Sequence, residues 1–328
     1  LFCLVTPALA DANNGNWQTA RRWAQMLVGH YRVRLARQWP DAMDTTDAAA
    51  DGPEILLALH ARRSAPSIAA WAAAKPGSPL VVALTGTDLY RDIHSDAAAQ
   101  QSLQSASRLI VLQDQGASEL PPELHPKCRV VFQSTSLRRT LPKTSQHLRA
   151  VMVGHLRDEK WPQTLFEAAR LLSPDEGILI DHLGVALDPA LGEQASATAA
   201  ACPHYRWLGG VPHAAARSRI QRAHVLVHAS RMEGGSHAIM EAVRSGTPVL
   251  ASRVSGNVGM LGVDYAGYFA PGDAHALVAL LRACRQGIGS GINPLAQLHA
   301  QCALRSALFA PAAEQSALLA VLQELQTR

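Results

Sequence analysis

Short apolar runs and amphipathic stretches alternate along the chain from its first residues to its last. Each apolar run has the length of a buried strand. The stretches between the runs, such as Trp17–Val28 and Ser64–Ala74, repeat apolar residues at helical spacing. Strands that are apolar on both faces and separated by helices are typical of a parallel sheet covered on both sides. The pattern therefore predicts an α/β protein with doubly wound parallel sheets.

The alternation is interrupted by the polar, basic stretch Gln133–Arg149, which contains Pro142 and is typical of a linker. We therefore predict domains at residues 1–140 and 141–305, followed by a helical segment at 306–328. The predicted strands are Leu1–Val5, Arg32–Ala36, Glu54–Leu59, Leu80–Leu84, Arg108–Leu112, Arg129–Phe132, Ala150–Val153, Ile178–His182, Tyr205–Leu208, His224–His228, Pro248–Ala251 and Tyr268–Ala270. Because ligands bind at the carboxyl ends of such strands, two facing sheets would form an interdomain cleft for a small molecule.

Composition narrows the classes of partner. The chain has 328 residues, of which 48% are hydrophobic and 5% aromatic, so it can fill two cores but offers few stacking platforms for single-stranded nucleic acid. Its 30 basic and 26 acidic residues include no run of five like charges, which disfavours nucleic acid and anionic lipid as partners. No apolar run approaches the ~18 residues of a membrane span. Small anionic ligands remain possible.

The five cysteines are scattered and form no Cys-x-x-Cys pair, which indicates a reduced, cytoplasmic protein without a thiolate zinc site. The first ten residues end in Ala-x-Ala like a secretory signal, but they carry no basic residue. We interpret Leu1–Val5 as a buried strand that leads into a turn. The absence of an initial Met suggests that further residues precede Leu1. His224 and His228 lie in one predicted strand, about 13 Å apart, which is too far for both to bind one metal ion.

The strongest chemical signal is a pair of glutamates eight positions apart, Glu233 and Glu241. Between them stand Gly234, Gly235 and Ser236 at the start of a predicted helix. Glycines let a backbone approach a ligand closely, and the free N–H groups at a helix start bind phosphate. The two carboxylates could therefore hold different parts of one elongated ligand. An acidic residue placed to favour the helix dipole would account for the same pattern.

The stretch Ser230–Ser252 resembles the Glu-x7-Glu region of the retaining family 4 glycosyltransferases. Segments resembling the same family stand in the same order at Val151–Lys160, Tyr205–Val211 and Gly267–Asp273. The resemblance implies the GT-B fold, in which two Rossmann-like domains face each other across a cleft. It also implies that the second half binds a nucleotide-sugar donor and that the last helix packs back on the first domain.

The resemblance implies roles for individual residues on the donor side. Lys160 matches the lysine that contacts the donor diphosphate, Glu241 the glutamate that binds the ribose hydroxyls, and Glu233 the glutamate near the transferred sugar. Where the family usually has Arg after the glycine matching Gly154, this chain has His155, and Arg157 could supply the missing cation. The other donor-binding residues it implies are Val211, Gly234, Gly235, Ser236 and His237.

The chemistry of sugar transfer agrees with these roles. Breaking a sugar–phosphate bond develops negative charge on the diphosphate, and Lys160, Arg157 and a helix start could stabilise it. No Asp-x-Asp occurs, so we predict no metal and no cofactor. We predict Lys160, Arg157 and Glu233 as the catalytic residues.

In the first half, polar loops follow the first strand at Thr6–Asn16 and the fourth strand at Thr85–Asp92. Many family members have His at the position of Thr85. Together with Gln133–Ser136, these loops resemble a subgroup of the family, the selenosugar synthases of selenoneine biosynthesis. This resemblance implies transfer of a sugar from a UDP-sugar, such as UDP-N-acetylglucosamine, to selenophosphate. The predicted acceptor-binding residues are Gly15, Asn16, Thr85, Gly86, Thr87, Asp88, Arg91, Ser134, Thr135 and Ser136.

A selenium anion is already deprotonated near neutral pH and needs no general base, as thiolates show. Such an acceptor would tolerate the loss of the family's His. One alternative is a conventional glycosyltransferase with a lipid or small alcohol acceptor, for which Arg21-Arg22-Trp23 offers a weak basic and apolar surface. The other alternative is a nucleotide-sugar binding protein without catalytic activity.

Overall fold

The computed structural model describes residues 1–7, 15–41, 52–290 and 293–326. The chain divides into two compact units, Leu1–Gln133 with Pro311–Arg328 and Ser134–Ala310. Each unit contains a six-stranded parallel sheet, so the predicted fold class, two Rossmann-like α/β domains, is confirmed.

The first unit has the strand order β2-β1-β3-β4-β5-β6. Its strands are β1 (Phe2–Val5), β2 (Val33–Ala36), β3 (Ile55–Leu59), β4 (Leu80–Ala83), β5 (Arg108–Val111) and β6 (Cys128–Val130). Its first helices are α1 (Gly15–Leu27), α2 (Ala65–Ala74), α3 (Ile93–Ser95) and α4 (Ala97–Ser105). Alternate side chains of β1 enter different cores, since Phe2 and Leu4 pack on one face of the sheet and Cys3 and Val5 on the other. Burial on both faces explains the continuous apolar strands of the sequence.

The second unit has the strand order β12-β11-β10-β7-β8-β9. Its strands are β7 (Leu148–Val153), β8 (Ile178–Leu183), β9 (Tyr205–Trp207), β10 (Val225–His228), β11 (Val249–Ser252) and β12 (Tyr268–Phe269). Its helices are α5 (Gln163–Leu171), α6 (Pro189–Ala201), α7 (His213–Arg222), α8 (His237–Val243), α9 (Ser255–Leu261), α10 (Ala274–Gly287) and α11 (Pro294–Arg305). The order places β7 beside β10, so the loops that follow these two strands meet at one edge.

The last helix, α12 (Pro311–Gln326), belongs to the first unit. Leu318 and Leu322 are fully buried in the core that also contains Trp23. The buried carboxylate of Glu314 accepts hydrogen bonds from Arg22 Nε at 2.8 Å and from Trp23 Nε1 at 2.6 Å. Arg22 and Trp23 therefore hold α12 against α1, and of Arg21, Arg22 and Trp23 Arg21 alone is exposed.

A second carboxylate ties the end of α12 to the sheet. Glu324 accepts hydrogen bonds from Arg108 Nε at 2.9 Å and from Arg129 Nη2 at 2.7 Å, and these two arginines lie on β5 and β6. Among the described residues, none of the helices combines the length and the apolar character that crossing a bilayer requires.

Candidate active site

Lys160 and Glu233, two predicted donor-side residues, lie 73 positions apart in sequence and meet in the second unit. Lys160 follows β7, and its Nζ is hydrogen-bonded to Oε2 of Glu233, in the loop that follows β10. The Arg231 N–H donates to the Glu159 carbonyl at 2.9 Å and joins the two loops through the backbone. The Lys160 and Glu233 side chains are 15% and 12% exposed, so the ion pair is largely shielded but still reachable from solvent.

His228, the last residue of β10, completes this cluster. Its Nε2 lies 3.0 Å from Oε2 of Glu233, and the Ser230 hydroxyl lies 3.3 Å from the same oxygen. Burial lowers the pKa of His228, the hydrogen bond to Glu233 opposes this, and the charge of Lys160 reinforces it. His228 is therefore neutral and donates its Nε2 hydrogen to the carboxylate.

Glu233 is held as a carboxylate. Burial by itself raises its pKa, but the charge of Lys160 and the hydrogen bonds from His228 and Lys160 outweigh burial and bring the pKa well below its usual range. A carboxylate has no proton to donate, so Glu233 can accept hydrogen bonds from sugar hydroxyls and cannot act as a general acid near neutral pH.

Glycines set the close backbone contacts behind this cluster. A Cβ on Gly256, in the first turn of α9, would lie 1.7 Å from the carbonyl oxygen of Glu233. A Cβ on Gly184, after β8, would lie 1.9 Å from the carbonyl oxygen of Gly154. Both predicted loops are therefore supported from behind by backbone that leaves no room for a side chain.

His155 does not take the place of the family's arginine as a cation. Loss of hydration lowers the pKa of its imidazole, and the charges of Arg157 and Lys160 lower it further. Its Nδ1 lies 3.3 Å from the Val185 N–H and accepts that hydrogen bond. Arg157 is half-exposed, with Nε 3.7 Å from the carboxylate of Glu159. Lys160 and Arg157 thus remain the cations of this turn.

The second glutamate lies in a separate cluster. Glu241, on α8, is 5% exposed, and its Oε1 lies 2.5 Å from His213 Nε2 and 3.8 Å from Arg217 Nε. Arg217 also donates to the Ser136 hydroxyl at 2.9 Å and to the Ser136 carbonyl at 2.8 Å. His213 follows Val211 closely in the chain, so the loop before α7 and the carboxylate of Glu241 lie together.

The hydrogen bond to Glu241 raises the pKa of His213, against the opposing effect of partial burial. The raised pKa means that this pair stabilises the fold fully below the ordinary histidine value of 6.5 and loses its contribution as the pH rises through the folded-state pKa.

We expect His213→Gln to lower the free energy of unfolding slightly at about pH 5.5 and not at about pH 8.5, measured by urea titration. The effect is small because the His213 side chain is 74% exposed. His94→Gln on the exposed surface of the first unit is the control, and an equal loss at both pH values would contradict the prediction.

The other residues predicted from the second half lie around these clusters. Ser236 precedes α8 and its hydroxyl accepts the Ile239 N–H at 3.3 Å, with Gly234 and Gly235 before it and His237 as the first residue of the helix. In the linker, Ser134 is buried. The Thr135 N–H donates to the Phe309 carbonyl at 3.1 Å. Thr135 and Ser136 are thus bonded within the second unit.

Several predicted acceptor residues of the first unit lie in the loop after β4, which the carboxylate of Asp88 holds in place. Asp88 is fully buried and accepts the N–H groups of Thr85 and Gly86, each at 2.9 Å, and of Ala61 at 3.0 Å. Its oxygens therefore shape the loop after β4. Arg91 lies beyond it, with Nε 3.1 Å from Asp92.

The other predicted acceptor residues of the first unit, Gly15 and Asn16, begin α1. The Gly15 carbonyl accepts the Thr19 hydroxyl at 2.9 Å, so the first turn of the helix is closed. Residues 8–14 of the predicted Thr6–Asn16 loop lie outside the described residues.

Neither His228 nor His213 was predicted from the sequence as a site residue. His60, in the first unit, was not predicted either. His60 follows β3 directly, and its position at a carboxyl strand end was the available signal. Among the described residues, no group of three or more His, Cys, Asp or Glu side chains is arranged to hold a metal ion.

The second unit is similar in sequence to a known protein family. Residues 133–284, from the linker to α10, match the family model described as glycosyl transferases group 1. The matched segment includes Lys160, Glu233 and Glu241, and it covers slightly less than half of the chain. No curated protein matches the sequence significantly.

Solved structures show the fold of the whole chain. Anabaena HepE in complex with UDP-glucose is 14% identical with a TM-score of 0.74 over 100% of this chain and 99% of that one. Sucrose-phosphate synthase from Thermosynechococcus elongatus is 15% identical with a TM-score of 0.73 over 99% of each chain. A glycosyltransferase from Rickettsia africae is 13% identical with a TM-score of 0.74 over 99% and 98%. The chain thus has the GT-B glycosyltransferase fold, including its first unit.

Proposed function

We propose that this protein is a glycosyltransferase that transfers a sugar, N-acetylglucosamine, from a UDP-sugar to selenophosphate, giving a 1-seleno-sugar. The observation that carries the donor half of the proposal is the ion pair of Lys160 and Glu233, formed where the loops after β7 and β10 meet. Complexes of the similar HepE with UDP and with UDP-glucose support a UDP-sugar as the donor. The acceptor rests on the resemblance of Thr85–Asp92 and Gln133–Ser136 to the selenosugar synthases.

In this mechanism Lys160 exchanges its ion pair with Glu233 for one with the donor diphosphate. Glu233 then accepts hydrogen bonds from the sugar hydroxyls. The C1–oxygen bond breaks as the selenium–C1 bond forms, and its electron pair leaves with UDP. Water then breaks the selenium–phosphorus bond, which releases phosphate and gives the 1-seleno-sugar. Lys160 and Arg157 stabilise the charge that develops on the departing diphosphate. Retention at C1 is implied by the family resemblance. No proton is removed from the acceptor, so the step needs no general base.

The test is UDP release from UDP-N-acetylglucosamine with and without selenophosphate. Release that requires selenophosphate supports the proposal. Release with glycerol or a lipid alcohol instead would support a conventional glycosyltransferase, and UDP binding without release under any condition would support a binding protein without catalytic activity. The scattered cysteines support action in the cytoplasm, which fractionation of the source cells tests.

The role of Glu241 is tested by nucleotide affinity. We expect Glu241→Gln to weaken UDP binding by about 10- to 100-fold, because a charged hydrogen-bond acceptor for the ribose hydroxyls is lost. Isothermal titration of UDP measures this, with Glu193→Gln on the exposed face of α6 as the matched control. Unchanged affinity would exclude Glu241 from ribose binding.

A further inference from the structure

His60 stands in an unusual conformation at the carboxyl edge of the first sheet. It follows β3, is 2% exposed, and has a φ of 73°, in the left-handed region that non-glycine residues seldom adopt. Its backbone N–H continues the ladder to the Ala83 carbonyl of β4 at 2.8 Å. Such a conformation persists where the surrounding structure fixes it, and these sites are often functional.

The hydrogen bonds of His60 define its tautomer. The Arg63 N–H donates to Nδ1 at 3.3 Å, so Nδ1 is an acceptor. Burial lowers the pKa of His60, the carboxylates of Asp88 and Asp92 oppose this, and Arg63 and Arg62 reinforce it, so the ring is neutral. The remaining hydrogen is therefore on Nε2, which lies 3.2 Å from the Thr87 hydroxyl oxygen and donates to it.

This donation leaves the Thr87 hydroxyl hydrogen for another acceptor. A hydroxyl has one hydrogen and two lone pairs, and His60 uses a lone pair. Thr87 is half-buried at the end of the loop that Asp88 holds, so its position is fixed while its oxygen stays near the surface.

The surrounding charges favour an anion. Asp92 is paired with Arg62 at 2.9 Å and with Arg91 at 3.1 Å. Arg62, Arg63 and Arg91 are exposed, and Arg62 and Arg91 both contact the buried carboxylate of Asp92. A phosphate oxygen is the ligand type that suits arginines together with a hydroxyl donor.

We propose that His60 is a positioning residue of the acceptor site: it fixes the Thr87 hydroxyl so that its hydrogen is donated to a phosphate oxygen of the acceptor. The proposal rests on the proposed function, since it assigns this loop to the acceptor. His60 itself touches no reacting atom.

The experiment compares variants of both residues. His60→Asn suits the left-handed backbone and retains an acceptor near Nδ1, but it removes the donor to Thr87. We expect His60→Asn and Thr87→Val each to raise the KM for selenophosphate about 10-fold, with kcat and the Kd for UDP changed less than about 2-fold. The double variant should have the same KM for selenophosphate as either single variant. His60→Gln, whose amide N–H can reach Thr87, should have a KM close to the wild-type value.

Other outcomes overturn the assignment. His60 would be a structural residue only if the KM for selenophosphate were unchanged in the variants. The same conclusion would follow if kcat and thermal stability fell together, or if the effects of the two substitutions on KM multiplied in the double variant. If the wild-type protein binds UDP but transfers to no acceptor, the proposed function fails while the site remains testable. In that case NMR titration with inorganic phosphate should shift the Thr87 amide signal in the wild-type protein and not in His60→Asn, and the absence of a wild-type shift would refute the anion site.

Discussion

Replacing Lys160 with methionine should lower kcat for UDP release by about 100-fold or more. Methionine keeps much of the length of the side chain but removes the charge that stabilises the departing diphosphate, and one such group is typically worth 10²–10³ in rate. The same change removes the charge that lowers the pKa of Glu233, so this pKa should rise toward its usual range. Steady-state assays at saturating UDP-sugar measure the loss.

The matched control is Lys127→Met in the first unit, whose Nζ donates to the Gln104 carbonyl. It should leave kcat within about 2-fold of the wild-type value, as expected for a surface substitution. If Lys160→Met retained the full kcat, stabilisation of the leaving group would have to be assigned to Arg157 or to backbone N–H groups.

Gly256→Ala should damage both stability and activity, although residue 256 carries no functional group. The new Cβ would lie 1.7 Å from the Glu233 carbonyl oxygen, so α9 or the Glu233 loop must move. Overpacking of this kind costs about 1–3 kcal/mol of unfolding free energy. A displacement of about 1 Å at a catalytic group can cost about 10²-fold in rate.

Urea unfolding and kcat together test this prediction. Ser255→Ala, the neighbouring change in the same turn of α9, should leave both quantities near their wild-type values. Loss of stability without loss of kcat would show that the Glu233 loop keeps its position when α9 shifts. Unchanged stability would contradict the close contact itself.

The strands were predictable from the sequence because burial on both faces makes each of them a continuous apolar run. All twelve predicted strands are present, with ends displaced by at most two residues. Among the helices of the second unit, α6 and α9 were not predicted. α6 (PALGEQASATAAA) is rich in alanine on all sides, so apolar residues mark no single face.

The site was predictable only as far as local pattern reaches. The glycine turn and both glutamates could be identified because they lie within nine residues of one another. The partners of these glutamates depend on strand order, since Lys160 meets Glu233 only because β7 pairs with β10. The hydrogen bond from His60 to Thr87 depends in the same way on strand order. The two residues are 27 positions apart in sequence, and the pairing of β3 with β4 brings them together.

The position of α12 has a consequence for how the protein acquires its structure during synthesis. The core of the first unit includes Leu318, Val321, Leu322 and Leu325, which are translated after the whole of the second unit. Residues 1–133 therefore leave the ribosome without part of their own core, and Glu314 and Glu324 reach Arg22, Arg108 and Arg129 only after the second unit has been translated. The second unit is contiguous in sequence and can fold first, so the first unit is completed after the second although most of it is translated earlier.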